Sequence, residues 1–281
     1  MNIYPKCISI KSSMSRKVKL AEFKHDTISY YTQGEGQSIV LIHGFLESAE
    51  MWFEYANELA KTHYVIMPNL PGHGNTACFG YDHSMELMGD SVIAILKAEN
   101  KRKAIVVGHS MGGYVAMAMA DKHPDVLKGL CLYHSTAKSD SAERKNGRLQ
   151  AIKLVQQNHK SFIRISIPLL FRPKYRIPYR QEINKLKRAA LLMPKQGIIA
   201  ALQGMRERPN REIIFKFPPY PVLLIGGKHD HLIPFNDLKI QASLSENVQA
   251  IRLKEAGHMS FVEEKENALN WIVRWLKHRE T

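Results

Sequence analysis

Five short, continuously apolar runs constrain the fold of this chain more than any other feature of its sequence. The runs lie in SIVLIHG, YVIMPNLPG, AIVVGHS, GLCLYHS and VLLIGGKHD, and each ends in Gly, Pro or polar residues. Strands that are buried on both faces have this pattern, and both faces are covered in parallel sheets. Helical patterns separate most of the runs, so the alternation predicts an open α/β sheet with right-handed crossovers.

Further elements complete this prediction. The early segments VKLAEFKH and DTISYYTQ alternate enough to predict two antiparallel strands. In ESAEMWFEYANELAK and HSMELMGDSVIAILKAEN the apolar residues share one helical face, with Ser48 as a candidate cap of the first helix. Residues 111–120 are apolar nearly all round and predict a buried helix, and residues 269–276 predict a last amphipathic helix.

One insertion interrupts the alternation. Between the fourth and fifth runs no buried-strand pattern occurs, and helical patterns separated by prolines take its place. Such an insertion lies over the carboxyl ends of the strands as a lid. We therefore expect an α/β core at residues 17–134 and 220–281, a helical cap at residues 135–219 and an N-terminal extension at residues 1–16. In that extension, Met14 is an alternative start.

The positive charge of the chain is concentrated in the cap. The net charge is +14, and residues 138–216 contain 19 Lys and Arg against 5 Asp and Glu, which accounts for the whole excess. A solvated helical surface explains this charge, and so does a surface that faces an acidic substrate or an acidic carrier protein. Nucleic-acid binding is not expected, because the segment has no recognition motif and its few aromatic residues are expected to pack the cap.

The rest of the composition favours an ordinary globular protein. Hydrophobic residues make up 44% of the chain and charged residues 23%. The three cysteines are widely spaced and form no Cys-x-x-Cys pair, which argues against a disulfide framework and a zinc site. No apolar run approaches the roughly 20 residues of a membrane-spanning helix. These features predict a cytoplasmic protein without a membrane span.

A serine between glycines follows the third apolar run. In GHSMGG, Gly108, Ser110 and Gly112 form a Gly-x-Ser-x-Gly pattern between a predicted strand and a predicted helix. On such a sharp turn the serine oxygen is held at the top of the sheet, and side chains at the two glycine positions would collide with neighbouring backbone. The amino terminus of the following helix favours developing negative charge. The pattern therefore predicts a nucleophilic serine.

A serine nucleophile needs a base, and the base needs a carboxylate that orients it. His258 lies in a loop between the alternating run VQAIRL and the last helix, and Asp230 directly follows the fifth apolar run. Both positions fall at the same carboxyl edge of the sheet as Ser110. Asp140, after the preceding strand, is an alternative carboxylate.

Other histidines are expected to have supporting roles. His229 and His231 flank Asp230, but neighbouring residues at a strand end point in divergent directions, so no metal site is expected. His109 is expected to support the serine turn or line the pocket. His43 and His73 are expected to brace loops by hydrogen bonding.

The chain resembles the α/β-hydrolase superfamily, in its capped form, over about residues 18–280. The matching motifs occur in the family's order: HGF at 43–45, PGHG at 71–74, GHSMGG at 108–113, GGKHD at 226–230 and GHMSF at 257–261. The resemblance implies that Ser110 is the nucleophile, His258 the base and Asp230 the carboxylate. It also implies that the backbone N–H groups of Phe45 and Met111 form the oxyanion hole, and that neither a metal nor an organic cofactor is required.

Hydrolysis of a carboxylic ester or a related small acyl substrate is the chemistry expected of such a site. Hydrolases of carbon–carbon bonds and enol-lactones resemble this chain too, as do monoacylglycerol lipases. The basic cap suggests a further candidate function, an esterase of acyl-carrier-protein-linked esters, with the acidic carrier protein as its partner. A receptor-like protein that binds a ligand without turnover is the alternative of another class, because fold alone does not determine function.

Overall fold

A sheet of eight strands organises the part of the chain that the computed structural model describes, residues 16–277. The strands are β1 (Lys19–Phe23), β2 (Asp26–Gln33), β3 (Gln37–Ile42), β4 (His63–Pro68), β5 (Ala104–His109), β6 (Leu127–Tyr133), β7 (Val222–Gly227) and β8 (Val248–Leu253). The helices are α1 (Phe53–Leu59), α2 (Met85–Ala98), α3 (Met111–Lys122), α4 (Ala142–Leu170), α5 (Arg180–Leu191), α6 (Lys195–Glu207), α7 (Phe235–Ala242), α8 (Ser260–Glu263) and α9 (Lys265–Lys277). The predicted N-terminal extension, with Met14, lies outside the described residues except for its last residue.

The sheet has the order β1-β2-β4-β3-β5-β6-β7-β8. Strand β2 pairs antiparallel with β1 and with β4, and every other neighbouring pair is parallel. All residues of β5 and β7 are buried, as expected for strands that helices cover on both faces. The predicted α/β sheet and its antiparallel first pair are confirmed. The parallel order places the carboxyl ends of β5, β6, β7 and β8 side by side at one edge.

The helices between the strands follow the predicted patterns with one exception. Residues 111–120 of α3 are all buried, which confirms the helix that is apolar all round. The Ser84 side chain caps α2 by accepting a hydrogen bond from the Leu87 amide. A short 3-10 turn at Ala49–Trp52 separates Ser48 from α1, and the Ser48 side chain makes no capping bond to it. The prediction that Ser48 caps the first helix is therefore wrong.

The cap consists of α4, α5 and α6, which lie in the chain between β6 and β7. Helix α4 is kinked at Asn158, whose backbone is not helical. The carboxyl end of α4 is tied to the loop between β8 and α8 and to α8 itself. There the amide of His258 donates to the Leu170 oxygen (3.3 Å), and the amide of Arg172 donates to a Glu263 carboxylate oxygen (2.7 Å). Within residues 16–277, no helix is long and apolar enough to cross a membrane.

Candidate active site

Ser110 lies on the tight turn between β5 and α3. Its φ of 49° is in the left-handed region, which side chains other than glycine rarely adopt. A Cβ at Gly108 would lie 2.3 Å from the Gly112 oxygen, and a Cβ at Gly112 would lie 2.4 Å from the Ile42 oxygen. The two glycines therefore let the turn pack directly against neighbouring backbone, as the Gly-x-Ser-x-Gly pattern predicts.

The structure brings Ser110, His258 and Asp230 together from three different strand ends. The distance between His258 Nε2 and Ser110 Oγ is 2.9 Å, and that between His258 Nδ1 and Asp230 Oδ2 is 2.8 Å. His258 and Asp230 are buried, and Ser110 is partly exposed. One imidazole thus connects the hydroxyl to the carboxylate. This geometry suits a base that takes a proton from Ser110 while the carboxylate holds its other nitrogen.

Asp230 is held by four hydrogen bonds. Its Oδ1 accepts from the amides of Leu232 (2.9 Å) and Ile233 (3.0 Å), and its Oδ2 accepts from His258 and from a second histidine, His134 (2.8 Å). Burial by itself would raise the pKa of this carboxyl. The His258 charge and the hydrogen bonds outweigh burial and hold the pKa of Asp230 well below its ordinary value.

His134, immediately after β6, is a site residue that the sequence reasoning missed. It is fully buried, and its φ of 51° is left-handed. Burial lowers its pKa to about 4, so the ring is neutral at pH 7. Because its Nδ1–H donates to Asp230, its Nε2 accepts from the Ser260 hydroxyl, 2.7 Å away, and Ser260 is in turn bonded to the Tyr133 hydroxyl. The sequence signal was its place at a strand end on the same edge as Ser110.

His258 differs from His134 although both rings contact the same carboxylate oxygen. Burial alone would lower the pKa of His258, but the charge and hydrogen bond of Asp230 raise the pKa above the ordinary 6.5. The hydrogen bond of His134 also raises its own pKa, yet there burial is the larger effect. The site therefore holds one imidazole with enhanced basicity and one that stays neutral.

The ligand atoms of His134, Asp230 and His258 lie within 4.8 Å of one another, which is close enough for a shared metal ion. Two imidazole nitrogens at 2.8 Å from one carboxylate oxygen are, however, at the distance of hydrogen-bond donors from a shared acceptor. Hydrogen bonding accounts for the cluster. Among the described residues, neither the His229 nor the His231 side chain forms a hydrogen bond with Asp230.

Phe45 and Met111 carry the two backbone N–H groups that the resemblance assigns to an oxyanion hole. Phe45 follows the end of β3, and Met111 begins α3. Neither amide donates a hydrogen bond to another residue in the part of the chain that the structure describes. Leu46, next to Phe45, has a φ of 62°, so the loop turns sharply at this point. Both amides are thus available as donors to an oxyanion.

A buried Glu47–His109 pair supports this loop. Glu47 Oε2 accepts from the Gly44 amide (2.6 Å) and contacts His109 Nδ1 (2.9 Å). The other ring nitrogen of His109 lies 3.2 Å from the His258 backbone oxygen. His109 therefore connects the loop that carries Phe45 to the loop that carries His258. The sequence predicted a supporting His109 but missed Glu47.

The other residues that the sequence singled out form no hydrogen bond with Ser110, His258 or Asp230 among the described residues. His43 accepts from the Leu70 amide (3.0 Å), and His73 Nδ1 lies 3.0 Å from the Pro71 oxygen, so both brace loops as expected. Asp140, the alternative carboxylate, contacts arginines of the cap instead of His258.

A cavity of about 130 Å³ opens beside Ser110. Its lining comes from the serine turn and α3, the Phe45 loop, the loops after β7 and β8, and the cap: Phe45, Leu46, Glu47, Ser110, Tyr114, Arg144, Arg148, Ser166, Leu170, Met205, Leu232, Ile233 and His258. A larger cavity, of about 230 Å³, shares Leu46 and Glu47 with it but is not lined by Ser110, His258 or Asp230. The smaller cavity is therefore the candidate substrate site.

Comparison with known proteins agrees with this architecture. Residues 39–269 match a sequence model described as the alpha/beta hydrolase family. The pimeloyl-[acyl-carrier protein] methyl ester esterase of Vibrio atlanticus (strain LGP32) is 26% identical over 251 residues, which are 85% of this chain and 94% of that protein.

Two further matches are similar to this chain at 29% identity. One is a thermophilic esterase from Thermogutta terrifontis, solved with malate bound, with a TM-score of 0.87 over 95% of this chain and 100% of that one. The other is the (E)-2-((N-methylformamido)methylene)succinate hydrolase of Acinetobacter baylyi. Its similarity extends over 133 residues, which are 47% of this chain and 50% of that protein, so it concerns about half of each.

Proposed function

The chain belongs to the alpha/beta hydrolase family and is a hydrolase, and from this premise we propose that it is a serine hydrolase of carboxylic esters. The observation that carries the proposal is the continuous path from Ser110 through His258 to Asp230, with separations of 2.9 Å and 2.8 Å. In this proposal Ser110 is the nucleophile, His258 the general base and Asp230 the carboxylate that orients it.

The proposed reaction has two halves. As Ser110 Oγ attacks the acyl carbon, His258 Nε2 takes the hydroxyl proton, and the amides of Phe45 and Met111 bind the oxyanion. The C–O bond to the leaving alcohol then breaks, and that oxygen receives the proton from His258. A water molecule activated by His258 hydrolyses the acyl-enzyme and releases the acid. No step of this proposal uses a metal or an organic cofactor.

Asp230 and His134 have different roles in this scheme. Asp230 stabilises the imidazolium that forms on His258, while His134 stays neutral because its pKa is about 4. We assign His134 as a positioning residue, because it touches Asp230 but not Ser110 in any described hydrogen bond. It holds the shared carboxylate oxygen at the distance that His258 requires.

A second candidate is an ester carried on an acidic acyl carrier protein. Two observations favour it: the excess of positive charge in residues 138–216, and the similarity to an esterase named for an acyl-carrier-protein-linked methyl ester. A cationic cap would steer an acidic carrier to the site in a salt-dependent way. The cytoplasmic location expected from the cysteine pattern stays a prediction.

Active-site labelling tests the proposal directly. Wild type and Ser110→Ala are treated with a fluorophosphonate and measured by intact mass, beside turnover of p-nitrophenyl esters from acetate to palmitate. We expect one adduct that the variant lacks and turnover that peaks at one chain length. No adduct and no turnover in the wild type would refute the serine hydrolase and favour the receptor-like alternative.

A further inference from the structure

The cavity beside Ser110 has a cationic wall that ester hydrolysis by itself does not require. Arg144 and Arg148 both line this cavity, together with Ser110 and His258. They are four residues apart on α4, so their side chains lie on one face of the helix, one turn above the other. The cap therefore contributes two arginines to the lining of the candidate substrate site.

One buried carboxylate serves as counter-ion for this wall. Asp140 accepts from Arg148 Nε, its Oδ1 lies 2.8 Å from Arg208 Nη2, and Arg144 Nε lies 3.4 Å from the same oxygen. Arginine stays charged in proteins, so three positive charges share one negative charge. The wall consequently keeps an excess of positive charge.

Glu47, the carboxylate that lines the cavity itself, is already engaged. Glu47 Oε2 accepts from the Gly44 amide and contacts His109 Nδ1. Among the described residues, Glu47 has no ion pair with Arg144 or Arg148. The excess positive charge is therefore available to something other than the protein.

Arg148 has donors to spare. Its Nε is used by Asp140, but within residues 16–277 neither Nη atom donates a hydrogen bond to the protein. Only 16% of its side chain is exposed, so these donors lie in a confined space rather than in open solvent. Arg144 is more exposed and donates to the Leu232 oxygen (2.9 Å). A largely buried guanidinium group with free donors matches the two oxygens of a carboxylate.

The remaining lining suits a short hydrocarbon chain. Phe45, Leu170, Met205, Leu232 and Ile233 supply apolar contact surface to the same cavity. Its volume of about 130 Å³ limits the part of a substrate that it can enclose to a few carbon atoms and one small polar group. The lining of the cavity thus combines the proposed nucleophile, apolar side chains and two arginines.

We propose that the substrate is a short acyl ester that carries a second, ionised carboxylate, and that Arg148 binds this carboxylate while Arg144 adds positive potential. The inference rests on the proposed serine esterase function. Ser110 attacks only the ester carbonyl and the alcohol leaves. The second carboxylate keeps its charge throughout and serves to orient the acyl chain.

Matched ester pairs test this inference. The monomethyl esters of succinate, glutarate and adipate are compared with methyl butanoate, pentanoate and hexanoate, so that within each pair a terminal carboxylate replaces a methyl group. Methanol release gives kcat/KM. For the best pair we expect the anionic ester to exceed the neutral ester by about tenfold or more, the range of one charge-assisted hydrogen bond.

Two variants separate local binding from overall charge. Arg148→Met is expected to lower the ratio of anionic to neutral kcat/KM to near one. Arg164→Met removes the same charge from an exposed position on the same helix, outside the cavity, and is expected to keep the wild-type ratio. If Arg148→Met does not fold, Arg144→Met, which leaves the Arg148–Asp140 pair intact, is expected to lower the ratio by a smaller factor.

The possible outcomes distinguish failure of the proposed anion site from failure of the proposed serine esterase function. Fluorophosphonate labelling of Ser110 is measured for every protein. If the wild type is labelled but hydrolyses the neutral ester of each pair as well as the anionic one, the anion site is refuted and the serine esterase stands. If Arg164→Met lowers the ratio as much as Arg148→Met, the effect is general charge and the site is again refuted. If the wild type is neither labelled nor active on any ester, both proposals fail.

Discussion

His134, the second histidine bonded to Asp230, makes two hydrogen bonds whose effects on the reaction can be tested separately. Two substitutions of similar size serve this purpose. In Gln the terminal amide lies as many bonds from Cα as His134 Nε2, so His134→Gln keeps a partner for Ser260 but loses the donor to Asp230. In Asn the amide lies as far from Cα as Nδ1, so His134→Asn keeps the donor to Asp230 and loses the partner for Ser260. The pair removes one of the two hydrogen bonds at a time.

The size of the effect follows from the charge on Asp230. A hydrogen bond to a charged group contributes about 1.5–3 kcal/mol, and its loss leaves the carboxylate with more negative charge facing His258. If about half of that energy acts on His258, its pKa rises by roughly 0.5–1 unit, since one unit corresponds to about 1.4 kcal/mol. The base must be neutral to act. The acid limb of the pH profile in His134→Gln therefore moves to higher pH, whereas that of His134→Asn stays in place.

The assay is kcat/KM for a reactive ester between pH 5 and 9, with thermal unfolding measured in parallel. Both variants are expected to unfold at lower temperature, because each loses a buried hydrogen bond at a position with left-handed φ. Stability alone therefore does not distinguish them, but the pH profile does. Folded His134→Gln with the same acid limb as wild type and His134→Asn would refute the reasoning that His134 draws charge from Asp230.

Three further predictions concern the base, the serine turn and the loop next to it. In the wild type, kcat/KM falls as the pH drops through a value above 6.5, because the pKa of His258 is raised and the base must be neutral; an acid limb below 6.5 contradicts this. Gly108→Ala places a Cβ 2.3 Å from backbone and is expected to lower the free energy of unfolding by several kcal/mol, whereas Gly147→Ala, in open space on α4, raises it by up to about 1 kcal/mol. Denaturant unfolding compares the two, and equal stabilities would contradict the close packing of the turn. Glu47→Gln removes the charge beside His109 and is expected to lower ester kcat/KM by about tenfold; unchanged kinetics in the folded variant would exclude a supporting role.

Local sequence patterns were enough to predict the strands, the helices and the residues proposed to react. Each of Ser110, Asp230 and His258 directly follows a strand or lies in the loop after one, and the carboxyl ends of neighbouring parallel strands meet at one edge. The strand order was not needed to name these three residues, because chain order and the position after each predicted strand were enough, with Asp140 left as an alternative to Asp230. The glycines around Ser110 were equally local, since the collisions they avoid involve the turn and the strand beside it.

The partners that tune these residues left no such local pattern. His134 and Asp230 are 96 residues apart, and Glu47 and His109 are 62 residues apart. Neither pair forms a motif. The sequence likewise presented the charge of the cap as one basic segment, but not which arginines line the cavity and which face solvent. The pairing of Asp140 with cap arginines, instead of with His258, also depends on how the insertion folds back over the sheet.

The sequence by itself determined the alternation of buried strands and helices, the cap between β6 and β7, and the serine turn, because periodicity and steric crowding act over a few residues. Only the tertiary structure decided which imidazole stays neutral, which carboxylate faces His258 and which guanidinium groups reach the cavity. Those properties depend on burial and on charge separations of about 3 Å between side chains that are distant in the chain, and only the packing of the cap on the sheet sets those distances.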